Sequence, residues 1–354
     1  MTLSTTTRHD DVNDLPARPE TKPAERFALG FEYLSPQAYL ELPAEGAARP
    51  LAAILHGAEA LPARPWPQIS SGLPSLTARP QVELLLADGK IAYRRDDSFD
   101  LAETEDLLFG AFRLDAAEGA ALAEASERLY GRLLRLIRRR GHPHLLRMWN
   151  ILQDINGEQE GLERYRRFCV GRHEAFAEAQ AGVYPAASGV GSAAGGLCVY
   201  FLAGKQPGQA IENPRQVSAY RYPPQHGPRS PSFARGAVQR FGGEGLLFLS
   251  GTASITGHES RHLGDLPAQV EETLANLRAL VGVAEETSGL RFDLKAAAGR
   301  LKAYIRRAED YPAVRRCLER SLGEAVEILY LRADICRREL LFEIDGALRA
   351  AAAS

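Results

Sequence analysis

Apolar positions along this chain alternate between short runs and longer helical stripes, and the changes mark out its elements. From residue 27 to about 113 the apolar residues come in brief runs broken by Pro and Gly, as at 51–55, 82–86 and, after an Asp88-Gly89 turn, 91–93. Such runs predict the strands of a sheet. Residues 116–140 predict a helix, because Leu122, Leu129, Leu133 and Leu136 fall near one stripe. Its basic end (Arg135, Arg138, Arg139, Arg140) suits the negative pole of a helix. A strand at 146–152, a loop at 154–161 and a helix at 162–176 follow. Beyond a glycine-rich stretch at 188–196, read as a flexible turn, come strands at 197–202 and 216–222.

The same order then recurs. A helix at 270–281 precedes a strand at 301–305, a helix at 312–322 and two closing strands at 328–331 and 340–344, expected to be neighbours joined by a tight charged connection. Arg164-Tyr165-Arg166-Arg167-Phe168-Cys169 even echoes Ala313-Val314-Arg315-Arg316-Cys317-Leu318. The pattern predicts an α+β fold, with two pseudo-symmetric sheet-and-helix units in one chain. The units are expected at 27–240 and 241–354, behind a disordered tail at 1–26, with the functional cleft between them.

Composition narrows the chemistry. A formal net charge of −2 offers no basic excess for phosphates, which argues against a nucleic-acid partner. Cys169, Cys198, Cys317 and Cys336 stand far apart without CxxC spacing, which suits a reducing cytosol better than a disulfide framework or a zinc knuckle. No run approaches the length of a membrane span, and the N-terminus has no apolar secretory core.

Glu343 breaks the last apolar run, Leu340-Leu341-Phe342-Glu343-Ile344. From periodicity alone, an edge glutamate facing solvent is the plainer reading. If buried, its carboxyl would hold a proton near neutral pH and serve as a general acid. Cys336 reads first as a small buried hydrophobe. Ser250-Gly251-Thr252-Ala253-Ser254 offers hydroxyls and close backbone approach to an oxygen-rich ligand, while residues 220–235 carry Arg221, Arg229 and Arg235 among tyrosines and prolines. His258-Glu259-Ser260-Arg261-His262 spells the zinc-peptidase HExxH, which needs both histidines on one face of a regular helix. Gly264 and Pro267 leave little room for that helix, so a loop with hydrogen-bonding histidines is the competing reading, and no metal or cofactor is expected.

The segments around Trp149-Asn150, from Glu163 (ERYRRFCVGR), from Ser218 (SAYRYP), from Pro231 (PSFAR), from Ser250 (SGTASITGHES) and from Ala333 (ADICRRELLFEIDG) resemble the chorismatases. The resemblance covers nearly all of the chain after the tail. It implies units of a RidA-like, or chorismate-mutase-like, fold and conversion of chorismate with release of pyruvate. The arginine that RidA-type proteins carry near the position of Ile328 is absent, which argues against imine deamination. Glu343 matches the family's catalytic glutamate. Gly251 and Cys336 are similar to residues of the hydroxybenzoate-forming subgroup, which implies 3-hydroxybenzoate, with or without 4-hydroxybenzoate, as product. The hydrolytic branch, giving a dihydroxycyclohexadiene carboxylate, is the alternative. Arg235 with Tyr222 is the first candidate for a substrate carboxylate; Thr252, Arg147, Arg172 and Lys205 are further ones. A zinc peptidase and a non-catalytic RidA-like binding module remain as readings from other classes, and the duplicated chain is expected to act as a monomer.

Overall fold

A computed structural model describes residues 29–350, apart from 44–48, 58–60, 78–80, 118–120, 180–182, 242 and 297–298. The tail expected at 1–26 lies outside the described residues. The chain begins with β1 (Gly30–Leu34), a short helix α1 (Pro36–Leu40), β2 (Arg49–His56), β3 (Gln68–Ser70) and β4 (Gln81–Ala87). Then come β5 (Ala92–Asp96), β6 (Phe99–Glu103), β7 (Leu107–Leu114), α2 (Leu122–Arg139) and β8 (His144–Gln153). They are followed by the small hairpin β9 (Glu158–Gln159) and β10 (Leu162–Glu163), then α3 (Arg164–Glu178), β11 (Ala186–Ser192) and β12 (Leu197–Gly204). The last part holds β13 (Gln209–Ile211), β14 (Gly236–Phe241), β15 (Glu244–Ala253), the hairpin β16 (Ile255–Thr256) and β17 (Glu259–Ser260), and α4 (Leu266–Ser288). It ends with β18 (Arg300–Ile305), α5 (Tyr311–Leu322), β19 (Glu327–Arg332), β20 (Asp334–Ile335) and β21 (Phe342–Arg349).

The duplication is written in the strand order. The seven-stranded sheet runs β20-β11-β8-β12-β7-β6-β5 and the six-stranded sheet β13-β14-β15-β21-β18-β19. With β20 set aside, both sheets place their first, second, third, sixth, fourth and fifth strands side by side. In each, the fourth and fifth strands pair in parallel, β8 with β11 and β18 with β19. A parallel pair needs a crossover, and α3 and α5 supply it. Two copies of one unit are therefore present, as the recurring pattern predicts.

Four details differ from the expectations. The two closing strands are not neighbours: β21 lies between β15 and β18, and the α5 crossover carries β19 beyond β18 to the sheet edge. Residues 219–221 form a single 3-10 turn instead of a strand, because Pro223 and Pro224 have no N–H for a ladder. Residues 188–192 of the glycine-rich stretch belong to strand β11 and only 193–196 turn; Gly191 is there for steric reasons, since a Cβ on it would strike Ile155 and Asp334. Finally, β13 and β14 belong to the six-stranded sheet although both begin before residue 241.

Each large sheet packs helices on one face, α2 and α3 on the first and α4 and α5 on the second. The opposite faces meet at a central core, which the four-stranded sheet β1-β4-β2-β3 also joins through Leu51, Ile54 and Leu85. Burial on both faces explains why β12 is buried at every position and reads as continuous apolar sequence.

Candidate active site

Alternation along β21 sorts its side chains between the two faces of its sheet. Phe342, Ile344 and Leu348 enter the core beneath α4 and α5. Glu343 and Asp345 therefore point the other way, toward the seven-stranded sheet. Asp345 is reached there by Arg147 of β8 and Ser188 of β11. Glu343 is only 3% exposed, and its residual access opens into a cavity of about 390 Å³. Its carboxyl makes no hydrogen bond to another described residue. Burial is the largest force on its proton, the negative charge of Asp345 adds to it, and Arg147, Arg235 and Arg306 oppose it, leaving the carboxyl pushed up to about 8.

Gly251 is what lets that carboxyl stand in the cavity. The ladder between β15 and β21 is irregular between Leu249 and Thr252, and a Cβ on Gly251 would collide with Glu343 Oε1. Opposite sit Tyr165 from the first turn of α3, Phe233 and Cys336. Burial, then the nearby Glu343, pushes the Cys336 thiol well above its ordinary value, so the group is a protonated thiol rather than a thiolate.

Arg235 lies at the cavity wall and is 4% exposed. It donates to the Tyr222 hydroxyl (2.7 Å) and the Val217 carbonyl (2.8 Å), rests against the rings of Tyr222 and Phe233, and leaves Nε buried without a partner. It makes no ion pair among the described residues, although it opposes the rise that burial causes in Glu212. A second guanidinium, Arg172, lines a narrow recess of about 30 Å³ with Glu343, Gly251 and Cys336; it packs on Tyr130 and Phe176, and its Nε is likewise unpartnered.

Glu343, Cys336, Arg235, Tyr222 and Gly251 thus meet at one cavity, with Arg172 at its inner end. Other candidates do not reach it. Lys205 is 42% exposed beside Asp106, and Thr252 turns away from Gly251 to donate to the Ser250 carbonyl. Arg147 is fully buried behind the cavity, already bound to Asp345. Sequence reasoning missed Tyr165, Phe233 and Arg337, none of which stands out by spacing, and Asp345, which the two-residue period places on the same face as Glu343.

HExxH does not form the helix that a zinc site requires. Thr256 and Glu259 pair across the β16–β17 hairpin, and His262 sits at φ +55. His258 meets His226 (3.1 Å), whereas His262 meets Glu272 (3.4 Å), so the two imidazoles look to different partners. No group of three or more metal-ligating side chains occurs among the described residues, and no helix there is long and apolar enough to cross a membrane.

Comparison with known proteins gives this arrangement relatives. Residues 83–203 match the family model described as Chorismatase FkbO/Hyg5-like, N-terminal. A 3-hydroxybenzoate synthase of Streptomyces hygroscopicus is 37% identical over 296 residues, covering 80% of this chain and 86% of that protein. A chorismatase of Streptomyces rapamycinicus is 39% identical over 272 residues, covering 74% of this chain and 80% of that one. A chorismatase crystal structure is 32% identical and covers 92% of this chain and 100% of its own, with a TM-score of 0.80. Similarity of this extent, over most of both partners and through both units of the fold, makes the chain a member of the chorismatase family.

Proposed function

We propose that this chain converts chorismate to 3-hydroxybenzoate and pyruvate, with Glu343 as the acid. What supports this is the setting of that carboxyl: it is buried, pushed up to about 8, and stands at the wall of a cavity large enough for a small cyclic diacid. An enol ether breaks once its methylene carbon is protonated, and a carboxyl that keeps its proton near neutral pH can deliver one there. The proton goes to carbon, the bond between ring and ether oxygen breaks with its electrons left on oxygen, and pyruvate departs. To give the 3-hydroxy acid, the neighbouring ring hydroxyl oxygen bonds to the cationic carbon that lost the ether, and its bond to its own carbon breaks. The hydrogen on the carbon that received it then leaves as a proton, the ring becomes aromatic, the acid is restored and no water is consumed.

Chorismate is a dianion, so a partly dry site needs cations for it. Arg235, with no ion pair and with Tyr222 fixing its fork, is the first partner for one carboxylate. Arg172, at the recess, is available to the ring side of the substrate. Cys336 and Gly251 border Glu343 closely enough to influence where the ring sits, and they favour aromatisation over attack by water. The cavity takes Tyr165 from the first unit and Glu343 from the second, so the chain completes the site within itself, which supports a monomer.

Chorismate incubated with the purified protein should yield equal amounts of pyruvate and an aromatic hydroxy acid, identified by chromatography. A diene diol as the main product would replace the aromatising reading with the hydrolytic one. No pyruvate at all, with chorismate bound, would leave a binding module.

A further inference from the structure

The centre of the molecule carries a row of buried charges that the reaction above does not touch. Arg147 donates through Nη2 to Asp345 Oδ2 (2.7 Å) and Ser188 Oγ (2.7 Å), and through Nη1 to the Met148 carbonyl (2.9 Å). Ser188 Oγ and the Tyr304 hydroxyl also donate to Asp345 Oδ2, at 2.5 and 3.0 Å. Farther along, Lys302 Nζ lies 2.9 Å from both oxygens of Glu83 and 4.0 Å from Asp345 Oδ1. His56 closes the row against Glu83, and burial holds its imidazole below the ordinary value. Every one of these side chains is buried.

The row balances without Glu343. Arg147 is taken by Asp345 and Lys302 by Glu83, two cations against two carboxylates. Glu343, two residues before Asp345 on the same face of β21, is a third carboxyl with no hydrogen-bonded cation. The groups facing it are occupied, neutral or, in the case of Arg172, held against Tyr130, Phe176 and Met148 without a hydrogen bond to its carboxyl. Arg235 is bound to Tyr222 and Val217, Arg306 to Asp334 and backbone carbonyls, and Tyr165 and Cys336 keep their protons. An ionised Glu343 would be an unbalanced buried charge, which is costly.

We propose that Asp345 is a positioning residue for the reaction: by engaging Arg147 it denies Glu343 a counter-ion and so keeps in place the proton that Glu343 delivers. This rests on the reading of Glu343 as the acid. Asp345→Asn removes a negative charge and leaves Arg147 without a carboxylate of its own, and both changes favour ionised Glu343.

The experiment is the pH profile of pyruvate release from chorismate by full-length protein. In Asp345→Asn the alkaline limb of kcat should move down by about one to three pH units, the range expected when one nearby charge is changed. A role confined to stability would lower the Tm and leave the limb where it is in the unsubstituted protein, and that result overturns the inference. If Asp345→Asn does not fold, Tyr304→Phe decides. It strips a neutral donor from Asp345, leaves the charge less screened, and should move the limb up; a limb unmoved or lowered overturns the inference. Glu343→Gln separates the two readings. Should it keep normal turnover, the acid assignment itself fails; should it be inactive while the Asp345→Asn limb stays put, only the role of Asp345 fails.

Discussion

Replacing Glu343 by Gln should destroy activity and stabilise the protein, and the stabilisation should grow with pH. A carboxyl raised from 4.5 to about 8 resists ionisation in the folded chain by roughly 5 kcal/mol more than in water, at ~1.4 kcal/mol per tenfold. The folded state keeps a proton that the unfolded state has already released. Stability therefore falls as pH rises through the window from 4.5 to about 8, and the loss is complete above it. Gln is neutral throughout and has no such dependence. Between about pH 5 and about pH 9 the variant should gain roughly 4 kcal/mol on the unsubstituted protein. For a chain of 354 residues that corresponds to about 5 °C in Tm. Scanning calorimetry at several pH values measures the gap directly. Every other titrating group is common to both proteins, and a constant difference from losing the carboxylate shape moves the curves without tilting them. Parallel curves would mean that folding does not hold this proton, and the acid assignment would fall with it. The same titration sets the activity limb: pyruvate release should decline as pH rises past about 8.

Four other outcomes are expected. Arg235→Met should raise KM for chorismate and lower kcat/KM by roughly a hundredfold, the worth of one buried charge-assisted pair; steady-state pyruvate assays check this, and an unchanged KM refutes it. Gly251→Ala should leave a folded protein, but its methyl would meet Glu343 Oε1 and force that carboxyl to rotate, so kcat should fall at least about tenfold or the product should change. Cys336→Ala should shift product away from 3-hydroxybenzoate, and an unaltered ratio on chromatography removes its part in product choice. Chelator-treated protein should turn over chorismate at the untreated rate; loss that zinc restores would bring HExxH back.

Much of the fold is legible in the sequence because the two units repeat their elements in the same order, and each helix carries its own apolar stripe. The strand order within each sheet is not legible. Residues 328–331 and 340–344 look adjacent because only a short charged connection separates them, yet β21 enters the sheet between β15 and β18. That choice is made by the crossover α5 and by long-range pairing, and neither leaves a mark on the local sequence. Gly189 and Gly191 mislead for a related reason. Glycine in a flexible turn and glycine in a closely covered strand look alike until Tyr165 of α3 and Ile155 of the turn after β8 are seen to occupy the space.

The same limit explains which site residues could be found. Glu343 draws notice as a carboxylate inside an apolar run, although periodicity alone favours a solvent-facing edge and it is the family resemblance that points to it; the two-residue period then places Asp345 on the same face. The arginines carry no comparable signal. Arg147 and Arg235 are both nearly excluded from solvent and both border the region of Glu343, but one already holds Asp345 and the other holds only neutral oxygens. What qualifies a guanidinium for a substrate anion is the absence of a carboxylate of its own. That property belongs to the packing of two sheets whose strands lie far apart in the chain: Arg147 and Asp345 are 198 residues apart. A single sequence therefore singles out the carboxyl proposed as the acid before it singles out the cation proposed for the substrate.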